Sequence, residues 1–111
     1  MRRCSAALEA GADVAFLEAP QTIEEVTAAP KQISGPCLLN IVRGGKTPEV
    51  TFTQAKKMGY GIAIVPGLLF IQVIGACEQA LKDMKTEDRH PVPLADLSPA
   101  GAFARVGANE W

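Results

Sequence analysis

The stretch "GPCLLNIVRGGKTPEVTFTQAKKMGYGIAIVPG", residues 35–67, contains two short apolar runs with a predicted helix between them. The runs "PCLLNIV" and "YGIAIVP" are typical of strands that are buried on both faces, as in parallel sheets. Residues 53–58 predict a short helix, which Gly59 closes. Because a helix between two such strands indicates a parallel crossover, the stretch predicts a β-α-β unit.

The same alternation of helices and strands extends to both sides of this unit. Thr22 and Glu25 have the spacing of a capping box, which predicts that a helix begins at Thr22. We predict the end of that helix near Pro30, a helix over 2–10 that stops at Gly11, a strand over 14–17, a helix over 68–85 and a short helix around 99–106. The predicted order up to residue 85 is therefore α-β-α-β-α-β-α.

The predicted strands start near residues 13, 36 and 60, so that one βα unit takes about 24 residues. This period is similar to that of a (β/α)8 TIM barrel, but three units cannot close a barrel and leave two open sheet edges. A three-stranded flavodoxin-like fragment is the alternative. In the first case, residues 1–85 form part of a barrel domain and residues 86–111 form a C-terminal tail.

The predicted helix over 68–85 has an apolar arc that is wider than one contact with a core requires. Its apolar residues form two adjacent rows, which are Phe70, Ile74, Cys77, Leu81 and Met84 in one and Leu69, Val73, Ala76 and Ala80 in the other. Either the helix is well buried within its own domain, or it packs on that domain and on a partner chain.

Composition excludes several classes of function. The net charge of −1 and the absence of a basic stripe argue against a general nucleic-acid binder. The longest apolar stretch, residues 62–71, is too short to span a bilayer, and no signal peptide is visible, so we expect a cytosolic or mitochondrial-matrix compartment. The chain has three cysteines, Cys4, Cys37 and Cys77. Because their number is odd and no C-x-x-C spacing occurs, we expect buried free thiols and neither a disulfide framework nor a metal site.

Candidate functional residues stand at the carboxyl ends of the predicted strands, where chemistry collects in parallel α/β proteins. These residues are Glu18, Asn40 and the pair Pro66-Gly67. The Glu18 carboxylate could hold a substrate hydroxyl or a metal-bound water, or it could be a solvated side chain. The Asn40 amide could bind a substrate carboxylate, or it could serve a turn.

The residues Gly44-Gly45-Lys46-Thr47 are similar to the end of a phosphate-binding loop, G-x-x-x-x-G-K-[ST]. That motif needs a glycine at position 40, which is Asn40, and a helix directly after the Lys-Thr pair. Pro48 follows instead, and residues 50–52 predict extended chain. We therefore expect the glycines to form a mobile or tightly turned loop, with Lys46 as a solvated side chain.

Three pieces of the chain resemble the isocitrate lyase / phosphoenolpyruvate mutase superfamily. The pieces are "EAGADVAFLEAP", the stretch from "GPCLLN" to "IAIVPG", and the closing "RVGANEW". The family pattern of the first piece is A-G-A-D-x-x-F-x-E-A/P, and the second piece contains P-x-L-x-N-x-x-x-G-G-x-T-P followed by G-[YF]-x-x-x-x-x-P. A late V-G-[LM]-x-E often closes the catalytic domain of the family. The resemblance implies that the chain forms strands six to eight and helix eight of a (β/α)8 barrel.

The resemblance also implies a function. Members of the family are Mg²⁺-dependent C–C bond lyases or phosphonomutase-like enzymes that act on small 2-oxo and 2-hydroxy acids through an enolate. Carried over by position, the catalytic residue is Glu18, near the metal, and the substrate-binding residues are Asn40, Ile41, Val42, Gly44, Gly45 and Thr47. In many members the eighth helix is exchanged between subunits, which implies a homo-oligomer that forms through residues 68–84.

The chain departs from the family in two respects. Methylisocitrate lyases have an arginine where this chain has Ile71, which argues against the tricarboxylate methylisocitrate as the substrate. A smaller dicarboxylate or a phosphonate is more compatible with an isoleucine at this position. The metal-binding D-x-D strand and the gating loop of the family have no counterpart in the sequence. We therefore expect a C-terminal fragment that lacks the Mg²⁺ ligands and is inactive alone. The alternatives are a non-enzymatic assembly module and a small-ligand-binding α/β module.

Overall fold

The computed structural model describes residues 1–95 and 97–108 of the chain. The helices are α1 (Arg2–Glu9), α2 (Ile23–Gln32), α3 (Phe52–Met58), α4 (Leu68–Glu87) and α5 (Pro99–Arg105). The strands are β1 (Ala15–Phe16), β2 (Cys37–Asn40) and β3 (Ile62–Ile64). The predicted alternation of helices and strands is confirmed. The chain divides into two compact units, Met1–Leu69 and Phe70–Trp111, which are described separately below.

The first unit contains a three-stranded parallel sheet in the order β1-β2-β3. Ala15 pairs with Cys37, and Leu38 pairs with Ile62, so each strand lies beside its neighbour in sequence. In a flavodoxin-like sheet the first strand lies between the second and the third, so these strands do not reproduce the start of that fold. Successive βα units that lie side by side are the arrangement expected of a barrel segment.

Capping boxes define where two of the helices begin. The Glu25 N–H donates to Thr22 Oγ1 at 3.2 Å and the Thr22 N–H donates to Glu25 Oε2 at 3.3 Å, as predicted. A second box joins Thr51 and Gln54, with N–H to side-chain oxygen distances of 3.1 and 2.8 Å. The prediction of extended chain over 50–52 is therefore wrong for Phe52, because this cap starts α3 at that residue.

Helix α2 continues past Pro30 to Gln32, whereas the sequence predicts its end near the proline. Pro30 has no N–H to donate to the carbonyl of Val26, the residue four positions earlier. The hydroxyl of Tyr60 donates to that carbonyl instead, at 2.8 Å. Gly59, with φ +108°, ends α3 and lies close enough to Pro30 that an added Cβ would be 3.4 Å from the proline Cβ.

The core of this unit lies between the sheet and the helices α2 and α3. Its buried residues are Ala15, Val26, Ala29, Ile33, Cys37, Leu39, Ala55 and Tyr60. Cys37 and Leu39 point to the same face of β2, because side chains alternate along a strand. Leu38 and Asn40 therefore belong to the opposite face.

That opposite face of the sheet is only partly buried. Phe16 and Ile62 pair with Leu38 from the two sides and are each 43% exposed, and Ile64 is 38% exposed. The prediction that the strands are buried on both faces is therefore wrong for β1 and β3. Their apolar sequences predict strand structure, but what covers the second face is not a local property of the sequence.

The second unit contains most of α4, together with α5. None of the residues of α4 is buried, and Leu69 and Phe70 are 75% and 70% exposed. The explanation of α4 as a well-buried helix is therefore wrong. Cys77 on α4 is exposed and Cys4 is half-buried, so that the prediction of buried free thiols holds for Cys37 alone.

Helix α5 begins as the sequence predicts. Ser98 caps it, with the Gly101 N–H donating to Ser98 Oγ at 3.1 Å. Of the closing piece of the resemblance, residues 109–111 lie outside the described residues. Over residues 1–95 and 97–108, no helix has both the length and the apolar character that crossing a membrane requires.

Candidate functional site

A pocket of about 210 Å³ lies at the carboxyl ends of β1 and β2. Its walls come from the chain that follows β1 and from the end of β2 with the loop after it. The lining residues are Leu17, Glu18, Ala19, Pro20, Asn40, Val42, Gly45, Lys46 and Thr47. Because parallel neighbouring strands end at the same edge of a sheet, this topology brings the candidates Glu18 and Asn40 to one pocket, 22 residues apart in sequence.

Asn40 is the last residue of β2 and pairs in register with Ile64. Its side-chain Oδ1 is buried and has no hydrogen-bond partner among the described residues. An unpaired buried acceptor costs about 1–3 kcal/mol, so a ligand or a water with a donor is expected at this position. An asparagine amide can also present its NH₂ group after a flip, and then it would donate to a carboxylate oxygen.

Glu18 lies two residues after the end of β1 and is exposed. The next residue, Ala19, has φ +48°, in the left-handed region that a residue with a Cβ rarely adopts. Such backbone strain of about 1–3 kcal/mol is most often found at functional sites. Within the described part of the chain, the one ion pair joins Arg89 and Glu87, so the carboxylate of Glu18 forms no ion pair there.

The loop after β2 is tightly turned. The Gly45 N–H donates to the Val42 carbonyl at 2.9 Å, and the Gly44 N–H donates to Glu49 Oε1 at 3.3 Å. A Cβ at position 45 would lie only 3.0 Å from the Val42 carbonyl oxygen, and Gly44 has φ +70°. The turn therefore requires both glycines. Helix α3 begins at Phe52 and does not directly follow Thr47, which excludes the phosphate-loop geometry here.

The structure brings some of the predicted site residues together and leaves others apart. Five of them line the pocket, namely Glu18, Asn40, Val42, Gly45 and Thr47. Two do not: Ile41 packs against the core, and Gly44 serves the turn.

Lys46 is exposed, as predicted, and it also lines the pocket, which the sequence does not predict. The available signal was its position directly between a turn glycine and Thr47. Pro66-Gly67, at the end of β3, are not among the lining residues.

The side chains of the pocket supply only part of the coordination of a Mg²⁺ ion. This ion prefers octahedral oxygen coordination, which carboxylates usually provide together with water and substrate. The pocket offers one carboxylate, that of Glu18, and one amide oxygen, that of Asn40. Over residues 1–95 and 97–108, no three His, Cys, Asp or Glu side chains are grouped so as to hold a metal ion. A resident Mg²⁺ would therefore need ligands other than these.

No protein-family model matches the chain. Curated proteins do: 2-methylisocitrate lyase of Aeropyrum pernix is 34% identical over 84 residues, which are 76% of this chain and 27% of that enzyme. The 2,3-dimethylmalate lyase of Eubacterium barkeri is 41% identical over 58 residues, which are 52% of this chain and 20% of that enzyme. The chain thus spans only about a quarter of the length of these curated relatives.

Solved structures match over almost the whole chain. A 2,3-dimethylmalate lyase, described as a PEP mutase/isocitrate lyase superfamily member, matches with a TM-score of 0.88 and 32% identity, over 98% of this chain and 38% of its own. An oxaloacetate acetylhydrolase in complex with oxalate matches with a TM-score of 0.90 and 29% identity, over the same shares of the two chains. The arrangement of helices and strands described above is therefore also found within these larger lyases and hydrolases.

Proposed function

The chain belongs to the isocitrate lyase / phosphoenolpyruvate mutase superfamily, and on that premise we propose that it forms part of the active site of a lyase or phosphonomutase-like enzyme. The proposed substrates are small 2-oxo and 2-hydroxy acids, which react through an enolate with Mg²⁺ as the family's metal. In this proposal residues 1–85 are strands six to eight and helix eight of a (β/α)8 barrel, and residues 86–111 are a tail.

The observation that carries the proposal is the buried, unpaired side-chain oxygen of Asn40 in a pocket that also contains Glu18. An amide and a carboxylate together can bind an acid that carries a neighbouring hydroxyl or carbonyl group. The Asn40 amide would accept from the substrate hydroxyl or, when flipped, donate to the substrate carboxylate. The Glu18 carboxylate would accept a hydrogen bond from the hydroxyl and is placed to take its proton.

The other residues assigned by position have supporting roles in this proposal. Thr47 offers a hydroxyl to the pocket and Val42 offers an apolar wall. Because Gly45 has no side chain, the backbone of the turn itself can line the pocket. Gly44 closes the loop, and Ile41 anchors the strand end to the core. The side chains that line the pocket are therefore held by a sheet edge and a closed turn, which is the preorganisation that a binding site requires.

We expect the 111-residue chain by itself to show no lyase or mutase turnover. One carboxylate and one amide oxygen bind a substrate, but they do not supply the ligand set of a metal ion. The measurement is an assay of the pure chain with Mg²⁺ on oxaloacetate, 2-methylisocitrate and phosphonopyruvate. Turnover of any of these by the pure chain would contradict this expectation.

Binding at the pocket is tested by nuclear magnetic resonance on the ¹⁵N-labelled chain. Oxalate is the probe, and its addition should shift the backbone amides of Gly45 and Thr47 together with the side-chain amide of Asn40. In Asn40→Ala the backbone shifts should disappear, whereas Gln32→Ala, which removes an exposed amide at the end of α2, should keep them. Shifts that are absent, or that survive in Asn40→Ala, would refute the assignment of the pocket.

A partner chain is proposed for α4, on a separate observation. The helix buries no residue, although it carries two adjacent rows of apolar side chains, and Leu69 and Phe70 are largely exposed. Contiguous exposed apolar surface of this kind marks an interaction site. We propose that a second copy of the chain covers residues 68–84, which would also serve the alternative function of an assembly module.

Sedimentation velocity tests this contact. The wild-type chain should self-associate as its concentration rises, and the double variant Leu69→Ser with Phe70→Ser should remain monomeric. The matched control is Gln72→Ser, which changes a polar residue of the same helix and should leave association unchanged. A wild-type chain that is monomeric at all concentrations would contradict the proposal.

A further inference from the structure

We propose that Lys46 forms an anion-binding subsite at the mouth of the pocket and holds the second carboxylate of a 2-hydroxy or 2-oxo dicarboxylate. The inference rests on the proposed function, because it assumes that the pocket binds a small acid at Asn40. It goes further by assigning the charge and the orientation of that acid. It also gives a role to a residue that carries none in the sequence analysis.

The Lys46 side chain is available to a ligand. It lines the same pocket as Asn40 and Glu18, and it is exposed. Within residues 1–95 and 97–108, its ammonium group takes part in no ion pair, not even with the Glu18 carboxylate of the same pocket. A lysine ammonium has three donors and a full positive charge, which suits a carboxylate.

Two hydrogen bonds hold the backbone that carries Lys46 in place. The turn before it is closed by the bond from the Gly45 N–H to the Val42 carbonyl. The bond from the Gly44 N–H to Glu49 then ties the start of the loop to its end, with Lys46 in between. The lysine stem therefore starts from a fixed position beside the pocket, so that ligand binding has to order the side chain but not the backbone.

The volume and the charges of the pocket favour a small dicarboxylate in one orientation. The pocket volume of about 210 Å³ lies below the roughly 300–1,000 Å³ of typical small-molecule sites, which favours a small acid. Glu18 is the other charged residue of the lining, and its carboxylate repels a ligand carboxylate. A dicarboxylate should therefore turn its hydroxyl towards Glu18 and its second carboxylate towards Lys46.

The test compares two ligands that differ only in the second carboxylate. Malate has two carboxylates, and 2-hydroxybutyrate has a methyl group in place of one of them. Their apparent dissociation constants are measured from the shifts of the Gly44 and Gly45 amides in the labelled chain. We expect the wild-type chain to bind malate about two- to five-fold more tightly, the range that one solvent-exposed ion pair provides.

The variants assign this preference to one side chain. Lys46→Gln should remove the preference, and Lys46→Arg should keep it. Arg43→Gln is the matched control, because Arg43 is an exposed cation of the same loop that does not line the pocket. It should keep the preference although the net charge changes equally. The preference should also fade at about 1 M salt, where the Debye length is about 3 Å.

Each outcome decides between the inference and the function on which it rests. If both acids bind at the pocket equally tightly, or if Lys46→Gln keeps the preference for malate, the subsite is refuted and the pocket of the proposed function stands. If Arg43→Gln removes the preference as completely as Lys46→Gln, the preference comes from a general electrostatic attraction of anions to the positive loop. The subsite is then again refuted. If neither acid binds at the pocket, the subsite and the proposed function fall together.

Discussion

The hydrogen bond from the Tyr60 hydroxyl to the Val26 carbonyl should stabilise the first unit because it replaces a bond that α2 cannot make. The distance is 2.8 Å, Val26 is fully buried and Tyr60 is 8% exposed. In Tyr60→Phe the carbonyl remains buried without a donor, because Pro30 has no N–H. We expect the free energy of unfolding to fall by about 1–3 kcal/mol, the cost of an unsatisfied buried acceptor.

A double-mutant cycle separates this explanation from a simple loss of packing. In Pro30→Ala, residue 30 gains an N–H that can donate to the Val26 carbonyl within the helix. Tyr60→Phe should then cost less than about 1 kcal/mol in the Pro30→Ala background. Urea denaturation of the four proteins, followed by far-ultraviolet circular dichroism, gives the coupling energy. An equal cost of Tyr60→Phe in both backgrounds would refute the reasoning.

The same hydroxyl gives a pH dependence whose sign is fixed. Burial, with a smaller contribution from the nearby Cys37 thiolate, raises the pKa of Tyr60 to about 12. An unfolded tyrosine titrates near pH 10. Because the folded pKa is the higher one, the contribution is fully present below about pH 10 and is lost as the pH rises to about 12. Two pKa units correspond to about 2–3 kcal/mol at most. The free energies of unfolding of wild type and Tyr60→Phe should therefore converge between about pH 10 and pH 12. If the two free energies instead keep a constant difference over this range, the pH dependence does not come from Tyr60.

Three further predictions concern the helix ends and the thiols. Thr22→Ala and Thr51→Ala should each lower the free energy of unfolding by about 1 kcal/mol in urea denaturation, because each removes one half of a capping box. Gly59→Ala should lower the melting temperature, since φ +108° costs a residue with a Cβ about 1 kcal/mol or more. With Ellman's reagent and the monomeric double variant Leu69→Ser with Phe70→Ser, in which no second copy covers Cys77, Cys77 should react first and Cys37 last. Burial, followed by the nearby Cys4 thiolate, raises the pKa of the Cys37 thiol, and reaction requires the thiolate. Equal rates for the two thiols in the folded chain would count against the burial of Cys37.

The elements that the sequence predicts best are those with a local physical cause. The Thr22 capping box and the left-handed end of α3 at Gly59 each involve residues within one turn of the helix. The second capping box, Thr51 with Gln54, has an equally local cause. The sequence does not reveal it, because residues 50–52 predict extended chain where the cap and the first residue of α3 lie.

Other features depend on contacts between residues that are distant in sequence. Helix α2 can continue beyond Pro30 because the Tyr60 hydroxyl donates to the Val26 carbonyl, and Tyr60 lies 34 residues beyond Val26. The partial exposure of Phe16 and Ile62 depends on what covers the second face of the sheet, and an apolar run carries no such information. Both features require the folded structure.

The candidate site divides in the same way. Glu18 and Asn40 are predicted to lie near each other because the carboxyl ends of parallel strands meet at one sheet edge. The place of Lys46 in the pocket depends on the turn at Gly44 and Gly45, whose bonds to Glu49 and Val42 the pattern G-G-K-T does not specify. The residues around the G-G-K-T pattern therefore exclude a phosphate loop, but they do not predict that the lysine lines the pocket.

The register of the sheet bears on the order in which the chain folds. Ala15 pairs with Cys37, 22 residues later, and Leu38 pairs with Ile62, 24 residues later. The entropies of closing two such loops differ by less than about 0.1 kcal/mol, so loop length does not favour either pairing. The β2–β3 ladder has three paired positions and the β1–β2 ladder has two. We therefore expect folding to start between β2 and β3, the segment from Cys37 to Ile64, with β1 and α1 joining a nucleus that already exists.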